Sequence, residues 1–530
     1  MDSSPLAFEK SWPVAVMLVV LTTLYSISIY RNRSRNPNGL PYPPGPKPSA
    51  IPFVGNVPDM PSSEEWLTFT EWGKTYGPLL MIDILGTKMC IINSAKVATD
   101  LLDNRSSIYS DRPPMPMVRD LMGWDFNMGL QPYSPEYTNA RKIFHFGFNV
   151  RASEQYLPIQ TREMIISLSK LLQNPEAFDD ILRVTTGTVL MKIAFGYQPT
   201  ENDEFIRIAE EAQLAMVSAA RPGAYLVDLF PVLKYVPEWF PGAGFKRVAR
   251  EGWELAQELQ EKPWAWAQQQ LAEGKAKPSF FTALVEQKGL ASKDEMEEMK
   301  MKQKACAVMY ATGADTILSS LLTFFLAMLH EPEVQKKAHE ELNRVVGKDR
   351  LPNIGDREHL PYINAIVQET YRWEQVIPLG VPHRVSEDDV YNGYFIPKGT
   401  TMIANQWGIA HDENMYPDPM TFRPERFIGV PDAKNGGPRN PNTIAFGWGR
   451  RICPGRFMAE NSLFLHIAAT LQCFNITPTI GADGKPVIPP RHYTTGMASR
   501  PKPFTCSITP KDETSVELIK HNVAMLDDGQ

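Results

Sequence analysis

The chain has 530 residues, 43% of them hydrophobic and 22% charged, which are globular proportions with enough apolar material for a large core. A net charge of −6 argues against nucleic acid as the main partner, because phosphate binding asks for a basic footprint. The five cysteines are odd in number and far apart, with no CxxC and no HExxH, so neither a disulfide framework nor a zinc site is expected.

In chain order the first feature is "WPVAVMLVVLTTLYSISIY", residues 12–30, a charge-free run long enough to cross a hydrocarbon core of ~30 Å. It is longer than the apolar stretch of a cleaved signal, about 7–15 residues, and no small-x-small site follows, so it reads as an uncleaved anchor. Arg31, Arg33 and Arg35 come next. By the positive-inside rule they place residues 1–11 in the lumen and the bulk of the chain in the cytosol, in keeping with reduced cysteines. Residues 31–50, with "LPYPPGPKP", read as a basic, proline-rich and stiff linker. Residues 51–510 read as one domain, and the polar stretch 511–530 as a disordered tail.

Within the domain, helices dominate and sheets are minor. "LLMIDILG" and "KMCIIN", from residue 79 to 93, predict a hairpin. "VDLFPVLKYVPEWF", residues 227–240, is an apolar candidate for a second membrane contact. Residues 303–329 form the longest apolar stretch, but Asp315 near its centre would cost roughly 2.5–3.5 kcal/mol in a bilayer. Thr312, Gly313, Thr316, Ser319 and Ser320 further dilute it, so a helix through the middle of the domain is predicted.

Three motifs follow. In "ETYRW", Glu369 and Arg372 stand three apart on one helix face, where they can pair. "FRPERF", residues 422–427, carries Arg426, and "FGWGRRICPG", residues 446–455, sets one cysteine between glycines and beside two arginines. A lone cysteine in a glycine-rich turn is ordinarily a buried structural residue, and an ExxR decorates any solvated helix. ExxR, FxPxRF and FxxGxRxCxG in this order and at these separations are poorly explained by chance.

From the anchor to about residue 510 the chain resembles the cytochrome P450 family, the heme-thiolate monooxygenases. Phe446, Gly449, Arg451, Cys453 and Gly455 match the fixed positions of that family's heme loop. The resemblance implies the cytochrome P450 fold, mainly α with minor β, and heme b as cofactor. It makes Cys453 the axial thiolate, which pushes electron density onto iron, and lets Arg451 meet a heme propionate. Glu369, Arg372 and Arg426 match a buried structural network that holds the cysteine loop.

"TGADTI", residues 312–317, resembles the family's oxygen-activation motif, with Asp315 and Thr316 as its acid–alcohol pair and Gly313 leaving room for oxygen. Thr312 and Ile317 depart from the pattern. Two protons must be delivered for one atom of O2 to leave as water, and a carboxylate feeding a hydroxyl can deliver them. Tyr137 stands where many members have tryptophan, four residues before Arg141; both are expected at a propionate, as is His383. "GAGFKR" at residue 242 is an incomplete dinucleotide loop. Electrons are therefore expected from NADPH-cytochrome P450 reductase, docking where Arg141, Lys142, Arg450 and Arg456 form a basic patch.

These features predict a single-pass enzyme of the endoplasmic reticulum membrane, its catalytic domain cytosolic, that oxygenates an apolar small molecule. The runs at residues 359–373 and 493–508 resemble fungal secondary-metabolism members, and a terpenoid is preferred over a polyketide or an indole or aromatic amine. A heme-thiolate isomerase or dehydratase has no use for the Asp315–Thr316 pair, and a non-catalytic heme or lipid sensor would leave it idle. The substrate pocket is expected to draw on residues 113–124, Met216, Tyr310, residues 376–380 and residues 494–497.

Overall fold

The computed structural model describes residues 34–51, 53–200, 202–221, 223–429 and 439–528. The expected anchor at residues 12–30 and the lumenal residues 1–11 lie outside them. The predicted hairpin forms: β1 (Leu79–Ile84) and β2 (Thr87–Ile92) pair antiparallel with Leu79 opposite Ile92. Leu85 and Gly86 both take positive φ, 50° and 83°, as a two-residue hairpin turn requires.

The linker is more than a spacer over its described part. The Met81 amide on β1 donates to the Pro44 carbonyl at 2.9 Å, and Arg35 pairs with Asp388. Edge-strand amides left without a partner recruit this segment. Gly45 makes the approach feasible, since a Cβ there would stand 2.1 Å from the Met81 carbonyl oxygen.

The helices that build the site are α1 (Pro135–Phe148), α2 (Leu157–Gln173), α3 (Phe178–Phe195), α4 (Glu204–Ala219), α5 (Phe245–Ala272), α6 (Glu295–His330) and α7 (Pro361–Trp373). After α7, β3 (His383–Arg384) and β4 (Thr401–Ala404) complete a four-stranded sheet of order β1-β2-β4-β3. Then come α8 (Arg456–Cys473) and the antiparallel pair β5 (Phe474–Thr477) with β6 (Ser507–Pro510).

The long apolar run lies inside α6, whose first turn is capped by Asp294 accepting from the Met296 and Glu297 amides, both at 2.9 Å. Among the described residues it is the one helix long and apolar enough to cross a membrane, and its apolar stretch is buried in the domain. Residues 317–329 are buried on every side, which is why they are apolar all round. A Cβ on Gly313 would fall 2.7 Å from Leu190 Cδ1, so this glycine lets α3 and α6 approach closely. Phe178 and Phe325 stack across the same interface at 5.4 Å.

Glu369 and Arg372 on α7 are fully buried and paired bidentately, at 2.6 and 2.7 Å. Arg426 Nε donates to the same carboxylate at 3.1 Å, and so does the Arg423 amide at 2.7 Å.

Residues 513–528, expected in the disordered tail, instead form a helix, α9 (Glu513–Asp528). Leu518 and Ile519 are buried, and Val523 and Leu526 pack on the main core, an apolar stripe hidden in a polar composition. Asp512 caps it, accepting from the Ser515 amide and hydroxyl at 2.9 Å and from Lys348 at 3.0 Å. These donors lower its pKa to about 2.

A carboxylate whose pKa falls on folding stabilises the folded form above its unfolded pKa of about 3.9, and that contribution is lost as pH drops towards 2. Asp512→Asn is therefore expected to loosen α9 at neutral pH, with faster proteolytic clipping beyond residue 511 and an intact catalytic core. Equal clipping of the two proteins would show that the apolar stripe alone holds the helix.

Candidate active site

The cysteine loop is shaped by close approaches. Gly447 and Gly449 have positive φ, 79° and 52°, and a Cβ on Gly449 would stand 2.2 Å from the Leu102 carbonyl oxygen. The Gly449 amide donates to the Asp103 carboxylate, and the Cys453 amide donates to the Phe446 carbonyl at 2.8 Å. Phe446 in turn packs edge-on against Tyr371 of α7 at 5.1 Å. Nothing stands within 4 Å of where a side chain on Gly455 would be.

Cys453 thus arrives at the N-terminal end of α8, half-buried because its sulfur opens onto a cavity. Burial pushes the thiol's pKa up; the Gly455 amide, the guanidiniums of Arg141 and Arg456, and the Arg456 amide pull it back. Arg141 also donates to the Ile452 carbonyl at 2.5 Å, next door to the cysteine.

The cavity, about 320 Å3, runs from Cys453 past α6, which presents Thr312, Gly313, Thr316 and Ser320 at helical spacing. Thr316 Oγ1 donates to the Gly313 carbonyl at 3.1 Å, and Thr312 Oγ1 to the Val308 carbonyl at 2.8 Å. Asp315 does not line the cavity. Its carboxylate instead lies 3.7 Å from the Arg500 guanidinium. Burial raises its pKa and Arg500 opposes the rise. The acid and the alcohol expected as a pair therefore lie on two faces of α6. Gly313 lines the cavity, yet its missing side chain makes room for Leu190 rather than for a guest.

Positive charge also collects in the lining of the cavity. Arg112 and Arg451 are 5% and 8% exposed and are satisfied by carbonyls. Arg112 donates to Gly129, Val381 and Pro382 at 2.7 to 2.8 Å, and Arg451 to Ser110 and Gln131 at 2.7 and 2.8 Å. Among the described residues neither has a carboxylate partner. Burial, then the neighbouring Arg451, drives the Arg112 pKa down. His383 is buried as well, its Nδ1 donating to the Tyr109 carbonyl at 2.7 Å, and burial followed by Arg112 pushes its pKa far down. Two buried guanidiniums with only one carboxylate, Asp111, acting on both at longer range leave room for a further anion.

Tyr137 departs from its expected role. Its hydroxyl donates to the Arg450 carbonyl at 2.5 Å, and its ring carries the Arg451 guanidinium 3.8 Å from the centroid. The single phenolic donor is committed to the protein, so Tyr137 acts by placing Arg451. No local pattern in the sequence marks Arg112, since two of its three carbonyl partners, Val381 and Pro382, lie some 270 residues away.

The expected substrate-side lining holds at Met216, Val376, Ile377, Gly380 and Met497. It fails at Tyr310, whose hydroxyl donates to the Phe205 carbonyl at 3.0 Å, tying α6 to α4. It fails also for residues 113–124, where the later part of that loop, residues 127–130, faces the cavity instead.

A lone thiol on a glycine-rich turn, a long helix carrying a threonine across the cavity, and a set of buried cations awaiting an acidic group together define the heme-thiolate class. The cytochrome P450 family model matches residues 43–507, and the chain belongs to the cytochrome P450 family. It is 41% identical to the cytochrome P450 monooxygenase COX2 of Coprinopsis cinerea over 96% of each chain. It is 35% identical to the tryptamine 4-monooxygenase of Psilocybe cyanescens, covering 95% of this chain and 99% of that one. A zebra fish cytochrome P450 structure with progesterone superposes with a TM-score of 0.69, at 25% identity, over 84% of this chain and 99% of that one.

The protein is accordingly a monooxygenase that uses heme b, a small-molecule substrate and a redox partner. The residues present suit the cofactor: the buried guanidiniums of Arg112 and Arg451 would hold its two propionates, with the His383 ring beside them. Arg112→Leu should release heme at least ~10-fold faster to a heme scavenger, the loss of a hydrogen bond to a charged group being worth about 1.5–3 kcal/mol. Arg112→Lys should recover part of the difference. Unchanged release would assign Arg112 to loop bracing alone.

Proposed function

We propose that this enzyme inserts one atom of O2 into a neutral, largely apolar small molecule of fungal secondary metabolism, with a terpenoid skeleton favoured. The balance is RH + O2 + 2 H+ + 2 e− giving ROH + H2O. The observation that carries the substrate reading is the wall of the cavity: Val308, Met309, Ile317, Val376, Ile377 and Met497, with no Asp or Glu among the described lining residues. The name of the Psilocybe relative points to an amine. An ammonium group here would be buried without a carboxylate, at a cost of several kcal/mol.

In this reading Cys453 would hold the heme iron through its thiolate, and heme, when bound, would supply the centre at which O2 is reduced. The Thr316 hydroxyl, which lines the cavity and donates to the Gly313 carbonyl at 3.1 Å, would turn from that carbonyl to pass a proton to the cavity, and Asp315 would take protons from solvent beside Arg500, which lies at the surface. Glu369, Arg372 and Arg426 keep the cysteine loop in place. Electrons arrive from NADPH-cytochrome P450 reductase at the face of Arg141, Lys142, Arg450 and Arg456. Residues 12–30 anchor the chain in the endoplasmic reticulum membrane, with residues 51–510 as the cytosolic catalytic domain. The exposed aromatics Tyr235 and Trp239, 77% and 81% accessible beside Leu226 and Val232, support a second contact with the lipid surface.

Reconstitution with reductase, NADPH and O2 tests the chemistry. Cys453→Ser should lose the thiolate-type red shift of the carbon-monoxide difference spectrum, and a retained band would overturn the ligand assignment. Thr316→Ala should go on consuming NADPH while releasing more peroxide per NADPH; unchanged coupling would move the proton relay to Thr312 or to the substrate. Removal of residues 1–39 should leave heme binding intact and reduce membrane pelleting. Undiminished pelleting would assign the attachment to the aromatic patch.

A further inference from the structure

We propose that Gln213 is a specificity-determining residue, and that the substrate is an apolar skeleton already bearing one neutral oxygen function, a hydroxyl or a carbonyl. This deepens the substrate reading above and rests on it. Gln213 lies on α4 three and four residues before Met216 and Val217, so the three share one face of the helix, and all line the cavity. That face is otherwise apolar. The Gln213 side chain is 7% exposed, its carboxamide oxygen is buried without a partner, and neither end of the amide is hydrogen-bonded.

Most of the cavity's other polar groups are engaged, while Gln406 Oε1 and Trp448 Nε1, which also line it, are buried without a partner like Gln213 Oε1. Thr312, Thr316 and Ser320 donate to carbonyls of their own helix, and Arg112 and Arg451 donate to loop carbonyls. A buried amide with no partner destabilises a fold unless something arrives to pair with it. Its terminal torsion is soft, so either the NH2 or the oxygen can be presented to a guest. A hydroxyl can both donate to and accept from the amide, and a ketone can accept from it. A pure hydrocarbon leaves it unpaired, and a charged guest meets no counter-charge on this wall. The roof that carries Gln213 is also held still, since Tyr310 of α6 donates to the Phe205 carbonyl on α4. The reaction upstream would therefore be one that installs an oxygen on a hydrocarbon skeleton, such as a first hydroxylation or a cyclisation ended by water.

The test uses full-chain, heme-loaded enzyme titrated with matched probes, adamantane against adamantanol and cedrane against cedrol, followed by the shift of the Soret band on binding. The unmodified protein should prefer each alcohol. Gln213→Met, of similar length but without the amide, should weaken the alcohols roughly 5–30-fold, the range for a lost buried hydrogen bond, and leave the hydrocarbons unchanged or tighter. Its thermal midpoint without ligand should stay level or rise. Gln213→Leu repeats the comparison should the methionine variant load heme poorly. Alcohols and hydrocarbons weakened equally, no change in either, or no preference in the unmodified protein would each overturn the proposal. Absence of the thiolate carbon-monoxide band in the unmodified protein would instead overturn the ligand reading on which it rests, so the two failures are separable.

Discussion

The structure depends most on one buried carboxylate. Glu369 is fully inaccessible, and it accepts from Arg372 of its own helix, from Arg426 and from the backbone amide of Arg423. A charge so placed is tolerable because four donors meet it, and removal of one partner from such a set costs about 3–5 kcal/mol. The consequence is positional. Residues 417–427 have little regular structure, yet Arg372 and Arg426 also collect the carbonyls of Ala410, Pro417, Asp418 and Thr421. The network thereby holds a segment with few hydrogen bonds of its own against α7.

The cavity mixes two kinds of chemistry. Its lining combines buried guanidiniums that have no carboxylate within ion-pair distance with Val, Ile and Met side chains, among which the Gln213 and Gln406 carboxamide oxygens lack partners. One wall is α6, which shows Thr316 to the cavity and Asp315 to Arg500. A proton taken up on the Asp315 face must therefore travel around or along the helix to reach the Thr316 face. Burial already favours the protonated acid, and Arg500 sets how strongly.

Much of this was legible in the chain. The hairpin at residues 79–93 follows from alternating apolar residues around a Gly-containing turn. The core placement of residues 303–329 follows from Asp315 and the hydroxyl residues beside it. The Cys453 loop and its Glu369–Arg372–Arg426 support were legible because each motif is short and its spacing is imposed by local geometry. The helix at residues 513–528 was missed because its apolar stripe is narrow and its composition is polar. The partners of the Tyr137 hydroxyl and of Gly313, the Arg450 carbonyl and Leu190, were not legible because they are remote in sequence.

By itself, the sequence determined the class of chemistry, the identity of the sulfur donor to be tested and the helical character of the domain, since these rest on local spacing and on side-chain type. Only the tertiary structure decided which groups meet. It put Arg112 beside Arg451 with no acid between them, turned Asp315 away from Thr316, and left the Gln213 amide unpaired in an apolar wall. The physical reason is that a hydrogen bond or an unbalanced charge belongs to two or more elements at once, and the chain's order does not record which elements come to lie together.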